Sequence, residues 1–560
     1  MKTWRAMTMV ALTACSPRPH AELGSTAGGA DASAVDQAVA TIREQDLARH
    51  VEILASDAFG GRFPGTAAES KTLGYLAAGF AKAGLQPAVD GTFTQEVAMV
   101  VVAIQSGATA TFTVVDPDGE QSRQSLQWGD DLLVHSGRAE ASVSLTDAPV
   151  VFAGHGIVAP EHGWDDYGAL DVTGAVVVVL PGEPTREGDE TFFEGRALTH
   201  HGTTAAKVEQ AAARGATGVL VVRADGEGGL AWSTLKAGAE APKYRLPATD
   251  DAPAPAVQGL VNAASFAALL QGRAPSLVAL REASARPDFV ARPLPMTLEL
   301  SLRSSVEPGS SHNLIGILPG RERPDEVVLY TAHWDHVGTR GDHVFNGAVD
   351  NATGTAALLE LAEAFAALPE PPARSVVFMA TTAEEQGLLG SFHYAAHPVF
   401  PLASTVGVIN MDALFPFGAF DSMTVVALGA SELDDYLRDA AAAVGRSLHA
   451  DPMPELGAFF RSDHYPFAVK GVPATFAVGG PAPDAAPDPQ VMARFDDYLR
   501  NRYHQPADEY DPDTWDLAGI RQDVEVYFRM GLALASTTAM PNWRDDHAFR
   551  ARRDAMLSDR

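Results

Sequence analysis

The stretch EVVLYTAHWDHVG (326–338) decides the fold. Its apolar run is continuous and not alternating, the texture of a strand buried on both faces, and it stops at His333, Trp334, Asp335 and His336. The same texture returns in SVVFMATT (375–382), TVGVINMD (405–412), MTVVAL (423–428) and ATFAVGG (474–480). Between these runs, helical patterns fall at 353–368, at about 388–396 and at 433–444. Strands alternating with amphipathic helices imply an α/β fold, a mostly parallel central sheet flanked by helices on both faces. Ligands of such sheets bind beyond the carboxyl ends of the strands. His333, the pair Glu384 and Glu385, and Asp412 each follow a strand directly, so three motifs are expected on one rim.

Six segments place His, Asp or Glu at the edge of apolar runs: TAHWDHVG (331–338), NGAVDNATG (346–354), TTAEEQGLLGS (381–391), VINMDA (408–413), RSDHYPF (461–467) and RYHQPADEY (502–510). Each alone is weak. An HxD pair is ordinary surface chemistry, Asp350 could simply cap the helix that follows it, and His504 could be a packed loop histidine. Together they suit two divalent ions about 3.5 to 4 Å apart, which need one bridging carboxylate and terminal donors for each ion. His333 and Asp412 can serve one ion, Glu385 and His504 the other, and Asp350 can bridge. His and carboxylate donors with positions left for water suit a catalytic zinc site. Asp335 could accept the proton of the non-ligating His333 nitrogen. Glu384 points away from Glu385 in an extended backbone and is free to act as general base. Asp463 and His464 are read as shaping the site, and His336 and His343 as solvated or local.

Composition narrows the rest. A chain of 560 residues exceeds one hydrophobic core. No apolar run approaches the ~20 residues that span a bilayer. A formal net charge of −30, without a dense Lys/Arg stretch, excludes nucleic acid as an expected partner. One cysteine, Cys15, leaves no internal disulfide framework and no Cys-based zinc site.

The domain plan follows the texture. Residues 1–14 read as a signal peptide, with Leu12-Thr13-Ala14-Cys15 resembling a bacterial lipobox, and 15–36 as the lipidated Cys and a flexible tether. The expected location is therefore outside the cytoplasm, as a periplasmic or outer-membrane-anchored lipoprotein or a secreted protein, with Cys15 the only membrane attachment. Residues 37–132 are the first part of the main domain, 133–299 an inserted smaller α/β domain, 300–545 the principal domain and 546–560 a tail. Within the insert, AVVVVLPG (175–182), a helix through KVEQAAARGA (207–216) and GVLVVRA (218–224) suggest a parallel strand pair, whereas 225–256 reads as an irregular loop. GHGIVAPEHGWDDYGALDVTGAVVVVL (154–180) resembles the protease-associated domain.

Taken together the motifs resemble the co-catalytic zinc aminopeptidases, the family of bacterial leucyl aminopeptidase with glutamate carboxypeptidase and glutaminyl cyclase relatives. The resemblance covers about Asn313 to Leu534, with ASDAFGGRFPGT (55–66) also similar. It implies two Zn2+ per chain on His333, Asp350, Glu385, Asp412 and His504, with Glu384 as catalytic base, Asp335 supporting His333, and a cis peptide at Asp350–Asn351. The implied reaction is release of N-terminal, apolar residues from peptides or proteins; a carboxypeptidase is the alternative, and a non-catalytic receptor-like relative a remoter one. Met411, Phe415, Phe417 and Phe459 are candidates for an apolar side-chain pocket. The family's usual oxyanion tyrosine is replaced by Gly457-Ala458-Phe459-Phe460-Arg461, which leaves the metal, Arg461 or a backbone donor for that task. Oligomeric state is left open.

Overall fold

A computed structural model of the chain describes residues 32–560, apart from 187, 188, 190, 228–230, 248–252, 274, 483–487, 546 and 559. The expected signal peptide, lipobox and most of the tether lie outside the described residues. Ala32–Val39 is already helical, so the last part of the stretch read as a tether forms part of the fold.

The apolar runs fold as expected. Strands run in the order Ser447–Ala450, Ser422–Val425, Ala474–Gly479, Thr405–Asn410, Arg323–His333, Arg374–Thr381 and Arg292–Leu318. The central members pair in parallel, whereas Ser422–Val425 pairs antiparallel with its inner neighbour. Both faces are covered, which is why Arg374–Thr381 and Thr405–Asn410 are buried at every position. The helix Gly354–Ala366 crosses one face and buries nearly all of its residues, and Ala518–Ser536 packs beside it.

Two long strands join this sheet to the insert. Arg292–Leu318 pairs antiparallel with Thr94–Val115 along most of its length, with Arg374–Thr381 at its end and with Ser142–Phe152 near its start. The ribbon thus runs hydrogen-bonded across the expected boundary between 299 and 300. Beyond it lie Val176–Val179, Gly218–Arg223 and Val257–Asn262 in parallel, closed by antiparallel Leu132–Ser136. The strand, helix, strand unit read from the sequence is present, with Thr204–Ala213 as its helix. The stretch 225–256 is not wholly irregular: it contains the helix Trp232–Glu240 and the strand Lys243–Arg245, which adds to Thr94–Val115. Similarly, the tail carries the helix Arg550–Ser558, docked by buried Arg553 through a 2.8 Å hydrogen bond to the Thr405 carbonyl. No described helix is long and apolar enough to cross a membrane.

The insert also reaches over the rim of the main sheet. Arg196 pairs with Glu455 at 2.9 Å, the Leu198 amide donates to Pro454 at 3.2 Å, and His200 Nδ1 lies 2.8 Å from the Tyr465 hydroxyl. Its 196–200 segment therefore touches the main domain just before and just after Ser462, Asp463 and His464.

Candidate metal centre

Chain direction brings the motifs together. His333 is the last residue of its strand, Glu384 and Glu385 follow Thr381 after a short turn, and Asp412 lies just past Asn410. Asp350 arrives from the segment before Gly354–Ala366, and its peptide to Asn351 is cis. Asn351, not Asp350, caps that helix: its side-chain oxygen accepts the Gly354 amide at 2.9 Å, while its amide donates to the Met411 carbonyl at 2.9 Å. The Asp350 turn is thereby tied to the Asp412 turn.

The geometry centres on Asp350. Its Oδ1 lies 3.3 Å from His333 Nε2, and its Oδ2 lies 3.0 Å from His504 Nε2. His333 Nε2 also faces Asp412 Oδ1 at 3.1 Å, and His504 Nε2 faces Glu385 Oε2 at 3.0 Å. Two donors each about 2.0 to 2.1 Å from one tetrahedral zinc sit about 3.3 Å apart, so these spacings fit one ion on each side of Asp350. All five residues read as ligands from the sequence meet here. Glu384 stands at 4.0 Å from His333 Nε2, on the His333 and Asp412 side.

Electrostatics agrees with a site built for cations. Burial would lower His333, but Asp412, Glu384 and Asp350 outweigh it and push it well above the ordinary histidine range. Burial is likewise overcome at His504, which Glu385 and Asp350 push up to about 11. Against the raising effect of burial, His333 and His504 hold Asp350 well below the usual carboxylate range. Glu385 falls to about 2: burial and Asp350 oppose this, but His504 and His336 prevail. Glu384 moves the other way, pushed well up by burial and then, against His333, by Asp412 and Glu385.

The supporting groups differ from the sequence expectation in detail. His333 Nδ1 faces the Asp335 backbone carbonyl at 3.1 Å, and the Asp335 carboxylate is farther away at 3.9 Å. That carboxylate instead accepts the backbone amides of Glu384 at 3.1 Å and Glu385 at 3.4 Å, fixing the turn that aims both. Burial raises it to about 8. Asp463 accepts from Thr381 and Ser391 and braces the strand end, and His464 sits fully buried against Phe459 and Phe476. Both side chains are buried. His343 is exposed.

His336 is not solvated: it is fully buried, with Nδ1 2.7 Å from Glu385 Oε1. Met411 is fully buried in the main hydrophobic core and does not line an open pocket. Phe415 and Phe417 are partly exposed, stack on each other and meet Phe495 and Tyr498 edge-on in an aromatic cluster beside Asp412. Arg461 is exposed at the rim.

Several functional groups escaped the sequence reading. Ser462 donates to Asp412 Oδ2 at 2.6 Å and accepts from Asn410 at 2.7 Å, and Asn410 in turn accepts from Thr331 at 2.8 Å. Asp508 accepts the Val349 and Asp350 amides at 3.0 and 3.1 Å. Arg62, from the GGRFPG loop, is fully buried and donates to the carbonyls of Leu54, Trp334, Asn346 and Gly347. Burial lowers it only to about 10, so it stays charged beside the acidic cluster. Tyr503 stacks on His504 with ring centroids 3.9 Å apart and lies within electrostatic reach of Asp350, Glu385 and Glu384.

Residues 313–528 match peptidase family M28. Among curated relatives, Aminopeptidase NAALADL1 of Mus musculus is 33% identical over 137 residues, 24% of this chain and 17% of that protein. Aminopeptidase YwaD of Bacillus subtilis is 39% identical over 89 residues, 16% of this chain and 18% of that protein. Probable glutamate carboxypeptidase AMP1 of Arabidopsis thaliana is 26% identical over 312 residues, 51% of this chain and 40% of that protein. The matched segments span less than half of each of these relatives. Among solved structures, the aminopeptidase from Aneurinibacillus sp. strain AM-1 aligns over 92% of this chain and 99% of its own, at 17% identity and a TM-score of 0.49. His333, Asp350, Glu384, Glu385, Asp412 and His504 all fall within the segment similar to peptidase family M28.

Proposed function

We propose that the chain is a zinc-dependent exopeptidase, an aminopeptidase that releases apolar N-terminal residues. One observation carries the two-ion form of this reading: Asp350 offers one oxygen to each of two histidines, and each histidine has its own further carboxylate. His333 and Asp412 would hold one ion, His504 and Glu385 the other, and Asp350 both. When bound, zinc would polarise the scissile carbonyl and make water a better nucleophile.

The chain's own groups would do the rest. Glu384 is buried beside the first position, and its raised proton affinity suits a group that takes a proton from water and hands it to the leaving amine. A bound cation would draw that affinity back toward neutrality. Asp335 holds both glutamate amides, so Glu384 and Glu385 keep separate directions. Tyr503, in place of the tyrosine absent from 457–461, supplies a hydroxyl for the developing oxyanion. The aromatic cluster of Phe415, Phe417 and Phe495 favours an apolar first side chain.

The family relatives named as aminopeptidases support the same reading. The carboxypeptidase alternative rests on one cation near the site, Arg461, which stands exposed at its rim. Arg62 cannot serve a substrate carboxylate, because backbone carbonyls surround it. We further propose export as a lipoprotein anchored at Cys15, on the strength of the LTAC sequence, and a protease-associated role for the insert, whose 196–200 segment borders the site. Glu384→Gln tests the mechanism: metal content should stay and kcat should fall about a hundred- to ten-thousand-fold. Near-wild-type turnover would remove Glu384 as base.

A further inference from the structure

His336 has no assignment in the account so far, yet it is fully buried, and neither ring nitrogen has a hydrogen-bond partner among the described residues. Orphaned buried nitrogens are uncommon and call for a physical reason. An apolar slot would explain a space-filling histidine, but this ring stands among charged groups. Its Nδ1 faces Glu385 Oε1 at 2.7 Å, and its ring lies 5.7 Å from that of His504. Glu385 Oε1 is itself buried without a hydrogen-bond partner, so two orphaned atoms face each other, close enough to bond but not aligned for it. His336, Asp350 and Glu385 also bring donor atoms within 4.8 Å of one another.

The backbone makes room for this ring on purpose. Gly347 has φ +55°, and a Cβ there would fall 2.2 Å from the Asp350 carbonyl oxygen, 2.4 Å from His336 Cγ and 2.5 Å from Cδ2. Arg62 donates to the Gly347 carbonyl at 2.8 Å and holds that glycine against the imidazole. The turn that delivers Asp350 therefore also seats His336 beside Glu385.

We propose that His336 is a positioning residue for the second metal position: Nδ1–H holds Glu385 Oε1, which leaves Oε2 for the ion shared with His504 and Asp350. This rests on the two-ion reading above. A carboxylate free to turn would offer either oxygen or chelate with both; one held by a hydrogen-bond donor presents a single oxygen in a fixed direction. Outer partners of this kind typically set metal affinity by 10- to 100-fold.

The test uses the full chain, stripped of metal and titrated with Zn2+ and with Co2+ against a competing chelator, for wild type, His336→Ala and His336→Asn. Wild type should take two ions. His336→Ala should weaken one of them by about 10- to 100-fold and leave the other unchanged. His336→Asn, whose amide can donate to the same oxygen, should recover part of the loss, with the Co2+ absorption bands at wild-type positions. Two ions bound in His336→Ala with wild-type affinities would overturn the proposal. So would a loss that Asn does not relieve, together with altered Co2+ bands, since His336 would then be a direct ligand. Fewer than two ions in wild type would instead sink the two-ion reading on which the proposal stands.

Discussion

Replacing Ser462 by Ala removes one hydroxyl and should be felt at the metal. Ser462 is 2% exposed, donates to Asp412 Oδ2 at 2.6 Å and accepts from Asn410 at 2.7 Å. A hydrogen bond to a charged group contributes about 1.5 to 3 kcal/mol. At about 1.4 kcal/mol per factor of ten, its loss predicts roughly a 10- to 100-fold drop in affinity for the ion on His333 and Asp412. The Asn410 amide would also lose its acceptor inside the protein, which adds about 1 to 3 kcal/mol of lost stability. Ser462→Thr keeps the hydroxyl and should retain most of the affinity. Competition between the protein and a chelator for zinc measures the first effect, and thermal unfolding of the metal-free protein the second. Wild-type zinc affinity in Ser462→Ala would refute the reasoning, because Asp412 would then need no orientation from the Thr331, Asn410 and Ser462 chain.

Arg62→Ala should remove one hydrogen bond from each of four backbone carbonyls, of which Gly347's keeps the Ala352 amide, and lower the unfolding temperature severely, and Arg62→Lys should rescue only part, since an ammonium cannot reproduce the guanidinium fork. An unfolding temperature unchanged in Arg62→Ala would contradict the clamp. Tyr503→Phe should cut kcat on the order of a hundredfold with little change in KM; if KM rises alone, Tyr503 binds substrate and does not serve the oxyanion. Metal uptake should strengthen as pH rises. His504, pushed up to about 11, and His333, also raised, carry protons at neutral pH that zinc must eject. Isothermal titration in buffers of different ionisation enthalpy should detect those released protons, and an affinity flat from about pH 6 to 9 would contradict the assignment.

What could be read in the sequence depended on whether the information was local. Strands buried on both faces announce themselves as unbroken apolar runs, and residues just past them share a rim by topology, so His333, Glu384, Glu385 and Asp412 were legible. Asp350 and His504 were placed by their motifs. The groups that orient them were not, because nothing along the chain links Ser462 to Asp412 or Arg62 to the Trp334 carbonyl; those contacts exist only after the sheet forms. His336 was misjudged for a related reason: a histidine beside Asp335 on a Gly-bounded turn looks exposed until the Gly347 loop folds over it. Asp335 shows a finer limit. Its proximity to His333 was right, but the backbone carbonyl faces the imidazole and the carboxylate serves the glutamate turn. Met411 shares an apolar texture with Phe415 and Phe417, and only burial in the folded chain separates core from cleft.

The central claim, two ions serving cleavage beside a free amino terminus, is tested most directly by one combined measurement. Zinc content is determined together with hydrolysis of a Leu anilide and of its N-acetylated form, each with and without chelator. The account predicts two zinc ions per chain and chelator-sensitive cleavage of the free-amine substrate alone. Equal cleavage of the acetylated form, or cleavage that survives complete removal of metal, would contradict it.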